Sequence, residues 1–135
     1  MARLSILILM LAFSCKSLNN GRKYEGLAYE RYGEGTVFHK NGDNSLILCI
    51  NETKGSTKNP QNAIDFFVFS TAKDSIIYSD YISPGSVSWF SDNQIELFYL
   101  PGVMPQGKTR DDFVYIYDLE TGIKTRKSDF DKKGE

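Results

Sequence analysis

One histidine and two cysteines are the only imidazole and thiol groups in this 135-residue chain, and they bound its catalytic options. His39 and Cys49 fall on neighbouring strand-like runs, so a thiolate–imidazole pair is the first chemistry to weigh. Such a pair needs contact between the two and a third group to orient the base. Cys49 sits in Leu46-Ile47-Leu48-Cys49-Ile50, where a free cysteine behaves as a small hydrophobe in a core. His39 precedes a turn and reads as a solvated strand end; without a second histidine or a cysteine pair it completes no zinc site. Carboxylates recur as Asp111-Asp112 and as Asp118 with Glu120, at the start of a strand and in a turn, where Asp side chains routinely cap backbone amides. Nothing distinguishes either pair as an acid and a base with separated acidities. Asn41-Gly42-Asp43-Asn44 has too few ligands for a calcium loop and reads as a hairpin turn, Asn-Gly supplying positive φ angles. The glycines stand singly in turns, so no phosphate-cradling loop is present. No catalytic residue, metal or cofactor is expected.

What remains is aromatic surface: eight tyrosines, nine phenylalanines and one tryptophan. Trp89, Tyr78, Tyr81 and Tyr99 lie in the middle of the chain. Turned outward, they would form a flat platform for a sugar ring or a partner protein. Turned inward, they fill the core, which is the favoured reading for Trp89.

The elements that must carry these residues are strands. From Tyr24 onward, short runs of β-branched and aromatic residues alternate with turn residues. Candidate strands are 25–31, 36–40, 45–51, 64–70, 75–82, 86–90, 94–100, 113–118 and 123–127, with Gly122 suited to a left-handed position before the last. Two polar loops interrupt them, at 52–62 and 101–111. Ile95, Leu97 and Tyr99 share one strand face, as do Ile64, Phe66 and Val68, but Phe67, Phe69, Phe98, Val114 and Ile116 make the opposite faces apolar too. Strands apolar on both faces belong inside a layered structure. The expectation is an all-β domain, an antiparallel β-sandwich or small meander barrel of about eight strands, with no helix longer than two turns.

The N-terminus has a different character. Arg3 precedes an apolar run, Leu4 to Phe13, that ends at Ser14 and Cys15. This is the layout of a cleavable export signal, and it is about half the roughly 20 residues of a membrane span. Leu11-Ala12-Phe13-Ser14-Cys15 resembles the lipobox of bacterial lipoprotein precursors, in the loose form seen in Bacteroidota, with leucine four rather than three positions before the cysteine. The resemblance implies cleavage before Cys15, acylation of its thiol and new amino group, and a lipid anchor in the outer membrane. The organisation expected is a signal peptide at 1–14, a flexible tether at 15–22, a single β domain at 23–128 and a frayed tail at 129–135. The tether lacks the acidic cluster that resembles a surface-export tag in that group, which favours the periplasmic side.

Without residues 1–14 the chain has 15 basic and 17 acidic side chains. No basic patch stands out, which argues against nucleic acid as a partner. Two further resemblances bear on function. Residues 86–127, with Ser-Trp-Phe-Ser-Asp-Asn and Tyr-Asp-Leu-Glu-Thr-Gly, look like a blade of a TolB-type β-propeller. A propeller needs at least about four blades of some 40 residues, more than this chain holds. Asp74-Ser75-Ile76 resembles the motif that directs O-glycosylation of exported Bacteroidota proteins, which would place a glycan on Ser75. The function expected is that of a lipid-anchored, non-enzymatic envelope module that binds a protein or a glycan. The alternative is an inhibitor that inserts the 101–111 or 52–62 loop into a hydrolase.

Overall fold

The computed structural model describes residues 22–134. Eight antiparallel strands form two four-stranded sheets, each ordered as the chain runs. The first sheet holds β1 (Val37–Lys40), β2 (Leu46–Thr53), β3 (Ala63–Ser70) and β4 (Ser75–Ile82). The second holds β5 (Gly85–Ser91), β6 (Gln94–Tyr99), β7 (Val114–Asp118) and β8 (Lys124–Arg126). Among the described residues no ladder joins the two sheets, so they form a sandwich rather than a closed barrel.

One core lies between the sheets. Leu48, Phe66, Val68 and Ile82 of the first sheet meet Val87, Ile95 and Leu97 of the second. The alternate residues of β2 and β3 are equally buried on the outer side, where Ile47, Cys49, Phe67 and Phe69 form a second cluster. That cluster needs a cover, and the cover is a helix, α1 (Lys23–Tyr32). The strand expected over 25–31 is therefore corrected. Ten residues make nearly three helical turns. Tyr24, Leu27, Ala28 and Tyr32 recur at helical spacing and pack against the second cluster. Tyr24 meets Phe38 edge-on with ring centroids 5.4 Å apart.

The outer face of the second sheet is covered more lightly. A 3₁₀ turn at Arg110–Phe113 and a short helix, α2 (Lys127–Phe130), flank β7, where Val114 and Ile116 are buried. Phe130 meets Phe90 edge-on at 5.5 Å. The tail expected to fray after Ser128 is instead helical, continuing as a 3₁₀ turn over Asp131–Gly134.

Two bulges set which residues face inward. Val68 pairs with Tyr78 and Phe69 with Ile76, leaving Ile77 as the extra residue. Tyr78, Asp80 and Ile82 thereby share the side of β4 that meets the second sheet. A similar shift leaves Phe90 unpaired between Trp89 and Ser91.

The meander gives the sandwich two unlike ends. The turns β1–β2, β3–β4, β5–β6 and β7–β8 gather at one, hereafter the hairpin end. The long segments 54–62 and 100–109 lie at the other, the loop end. α1 starts at the hairpin end, where Lys23 Nζ donates to Asp74 Oδ2 at 2.8 Å and to Asp74 O at 3.0 Å.

Candidate functional site

The aromatic residues singled out from the sequence do not form one platform. Trp89 packs against the inter-sheet core, and its Nε1–H donates to His39 O at 2.9 Å. Tyr78 and Tyr99 also pack against that core, on strands of opposite sheets. Both phenols donate to Asp80 Oδ2, each at 3.0 Å. Lys124 Nζ donates to Tyr99 Oη at 2.8 Å and lies over the Tyr99 ring, 4.7 Å from its centroid. Tyr78 stacks on Tyr117 with centroids 4.0 Å apart. Burial, and after it the neighbouring Asp80, pushes both phenols above their ordinary value. Tyr81 alone of the four is exposed, on the outer side of β4.

His39 and Cys49 are separated by the sheet itself. Phe38 pairs with Cys49 and His39 with Leu48, so Cys49 points to α1 while His39 lies on the opposite face. Burial, and after it the charge of Glu25, pushes the Cys49 thiol up to about 12. A thiol so disposed is inert. Asp111 and Asp112 lie in the 3₁₀ turn, where Asp112 Oδ2 accepts from Thr109 N at 2.9 Å. Asp118 Oδ1 accepts from Glu120 N and Thr121 N, both at 2.9 Å, and these amides hold its acidity strong. Among the described residues no group of three or more His, Cys, Asp or Glu is placed to hold a metal. Gly122 has φ +71°, as its place in the turn requires. Ser75 is exposed at the first position of β4. Cys15 lies outside the described residues.

One cavity has no signal in the sequence. It is a cleft of about 460 Å³ at the hairpin end, to which all four hairpins contribute. Leu46, Ile77 and Leu119 supply apolar lining, and Asp43, Asp92, Glu120 and Lys73 supply charge. Asn41 ties its walls together. This buried side chain donates to Asp92 O at 2.7 Å and to Ser45 Oγ at 3.2 Å, and its Oδ1 accepts from Leu46 N at 3.0 Å. Gly42 N donates to Asp92 Oδ1 at 3.1 Å. The Asn-Gly turn differs from expectation here. The positive φ falls on Asn44 at 60°, and at Gly42 a Cβ would push the exposed Asp92 carboxylate from its place on the Gly42 amide. Asp43 accepts from the Ser45 hydroxyl and amide, which hold its pKa below the usual carboxylate range. The cleft is thus prearranged: two carboxylates are fixed by hydrogen bonds, with one lysine and aliphatic side chains nearby. It can accept hydrogen bonds from hydroxyl or ammonium groups and cover an apolar surface.

No family model, curated protein or solved structure matches this chain.

Proposed function

We propose that the chain is the precursor of a lipid-anchored envelope protein, cut before Cys15 and acylated there, whose β domain binds a protein or glycan without performing chemistry on it. The observation that carries the binding role is the hairpin-end cleft, a preformed cavity with convergent polar groups and apolar lining. A glycan suits it best: hydroxyl groups donate to Asp43, Asp92 and Glu120, while a sugar ring covers Leu46 and Leu119. The anchor rests on Leu11 to Cys15 and holds the domain in the outer membrane, facing the periplasm.

Two measurements test the parts separately. Cells making the Cys15→Ala chain release it in soluble form, whereas the native chain stays with membranes. Membrane retention of Cys15→Ala would refute the anchor. Protease added to intact cells leaves the domain whole until lysis if it faces the periplasm. For the cleft, an array of envelope glycans is probed with the native domain and with Asp92→Ala and Glu120→Ala forms. Binding that falls at least tenfold in both forms supports the cleft, and unchanged binding overturns it.

A further inference from the structure

Among the described residues, Asn41 is the only asparagine that precedes a glycine. That order matters chemically. A backbone amide nitrogen can attack the carboxamide carbon of the asparagine before it, and a side chain on the attacking residue stands in the way. Gly42 has none. Asn44, Asn51, Asn62 and Asn93 each precede a residue with a side chain, and Asn59 precedes Pro60, which has no amide proton.

Both reacting groups at Asn41-Gly42 are held, and both by the β5–β6 turn of the other sheet. Asn41 Nδ2 donates to Asp92 O at 2.7 Å, and Gly42 N donates to Asp92 Oδ1 at 3.1 Å. Ser45 Oγ and Leu46 N fix the rest of the carboxamide, which is buried. The Asp92 carboxylate opposes reaction in a second way. The Gly42 nitrogen must lose its proton before it attacks, and the anion formed would lie against a like charge.

We infer that Asn41-Gly42 is a self-modification site, closed while the two sheets are stacked and opened when the β5–β6 turn leaves the β1–β2 turn. In the reaction the deprotonated Gly42 nitrogen bonds to Asn41 Cγ and the Cγ–Nδ2 bond breaks. Solvent returns the proton to the departing ammonia, and a succinimide ring remains. Water then opens either ring carbonyl, giving aspartate or isoaspartate, so the net change is water taken up and ammonia released. The product opposes reclosure. Its carboxylate has no N–H for Asp92 O or Ser45 Oγ, and it sets a negative oxygen against the Asp92 carbonyl, with Asp43 nearby. Isoaspartate also adds a methylene to the backbone, which disturbs the hairpin bond from Asn41 N to Leu46 O, 3.0 Å long. The cleft tied together by Asn41 is thereby lost for good, whichever ligand it holds.

The purified Cys15→Ala chain, native and in guanidinium chloride, is incubated at mildly alkaline pH, and peptide mapping follows the acid product at Asn41. Mapping keeps it apart from Asn20-Gly21, the same dipeptide outside the described residues. Conversion in the folded chain is expected to be at least about a hundredfold slower than in denaturant, since each of the carboxamide's three hydrogen bonds protects by about fivefold. Asp92→Ala, with native far-UV circular dichroism, converts about fivefold faster, and Asp92→Asn, which keeps an acceptor for the Gly42 amide, restores the slow rate. If Asp92→Ala does not fold, Ser45→Ala, which removes an acceptor of Asn41 Nδ2, takes its place under the same criterion. Gly42→Ala suppresses conversion in denaturant, which identifies the succinimide route. An Asn41→Asp chain, the product made directly, melts below the native one. Equal rates in the folded and denatured chain, a native rate in Asp92→Ala, or a native melting temperature in Asn41→Asp overturns the inference.

Discussion

Tyr78 and Tyr99 reach one carboxylate oxygen, Asp80 Oδ2, from two different sheets. Their neutral forms are held by burial and by that shared acceptor, so both ionise above the ordinary value. In the unfolded chain they ionise near 10, and there the unfolded state gives up its protons first as pH rises. Their contribution to stability is therefore complete below about pH 10 and declines above it. A melting temperature that falls above about pH 10 in the native chain, and falls less steeply in a Tyr78→Phe, Tyr99→Phe double variant, is the expected result. An unchanged slope in the double variant would show that the pair carries none of the effect. At this scale the sequence was informative about type and silent about partners. Trp89 was legible as core because it sits in an alternating apolar strand. Its acceptor on β1, and the meeting of Tyr78 with Tyr99, depend on which strands face across the core, and nothing local encodes that.

Among the elements, α1 shows how a covering layer is specified. β3 is apolar on both faces, so the first sheet cannot leave its outer side bare, and the helix lays Ala28 against it with no exposed surface. Ala28→Leu would force extra carbons into this contact and should cost about 1–3 kcal/mol, read as a lower urea midpoint at unchanged slope. A midpoint equal to the native one would mean that the helix floats on the sheet. The strands themselves were read closely from sequence, β4 at its observed bounds of Ser75–Ile82, because alternating side chains flanked by turn residues are local signals. The helix differs from the strand its sequence suggests for a physical reason. Its stripe is built from Tyr24, Leu27, Ala28 and Tyr32, in which the tyrosines weigh as strand formers and alanine carries little hydrophobic signal, and Gly26 interrupts the run. α2 escaped notice because its one inward anchor, Phe130, stands in a charged segment.

The molecule as a whole is one sandwich with unlike ends, and this is where sequence reading reached least. The cleft draws on turns more than 70 residues apart, from Asn41 to Glu120, so it exists only once both meanders are stacked. The two long loops read as exposed, but their meeting at one end of the sandwich follows from topology alone. The Trp89 hydrogen bond to His39 O spans the stack, from the second sheet to the first. As the chain holds one tryptophan, that contact makes the protein its own optical gauge of layer separation. When the sheets part, the indole gains water and its emission moves to the red. With a single core shared by both sheets, fluorescence and circular dichroism should trace one common denaturation curve. A red shift that precedes the loss of strand signal would reveal something different: two intact meanders sliding apart like leaves of a book, each able to seek another leaf to close against.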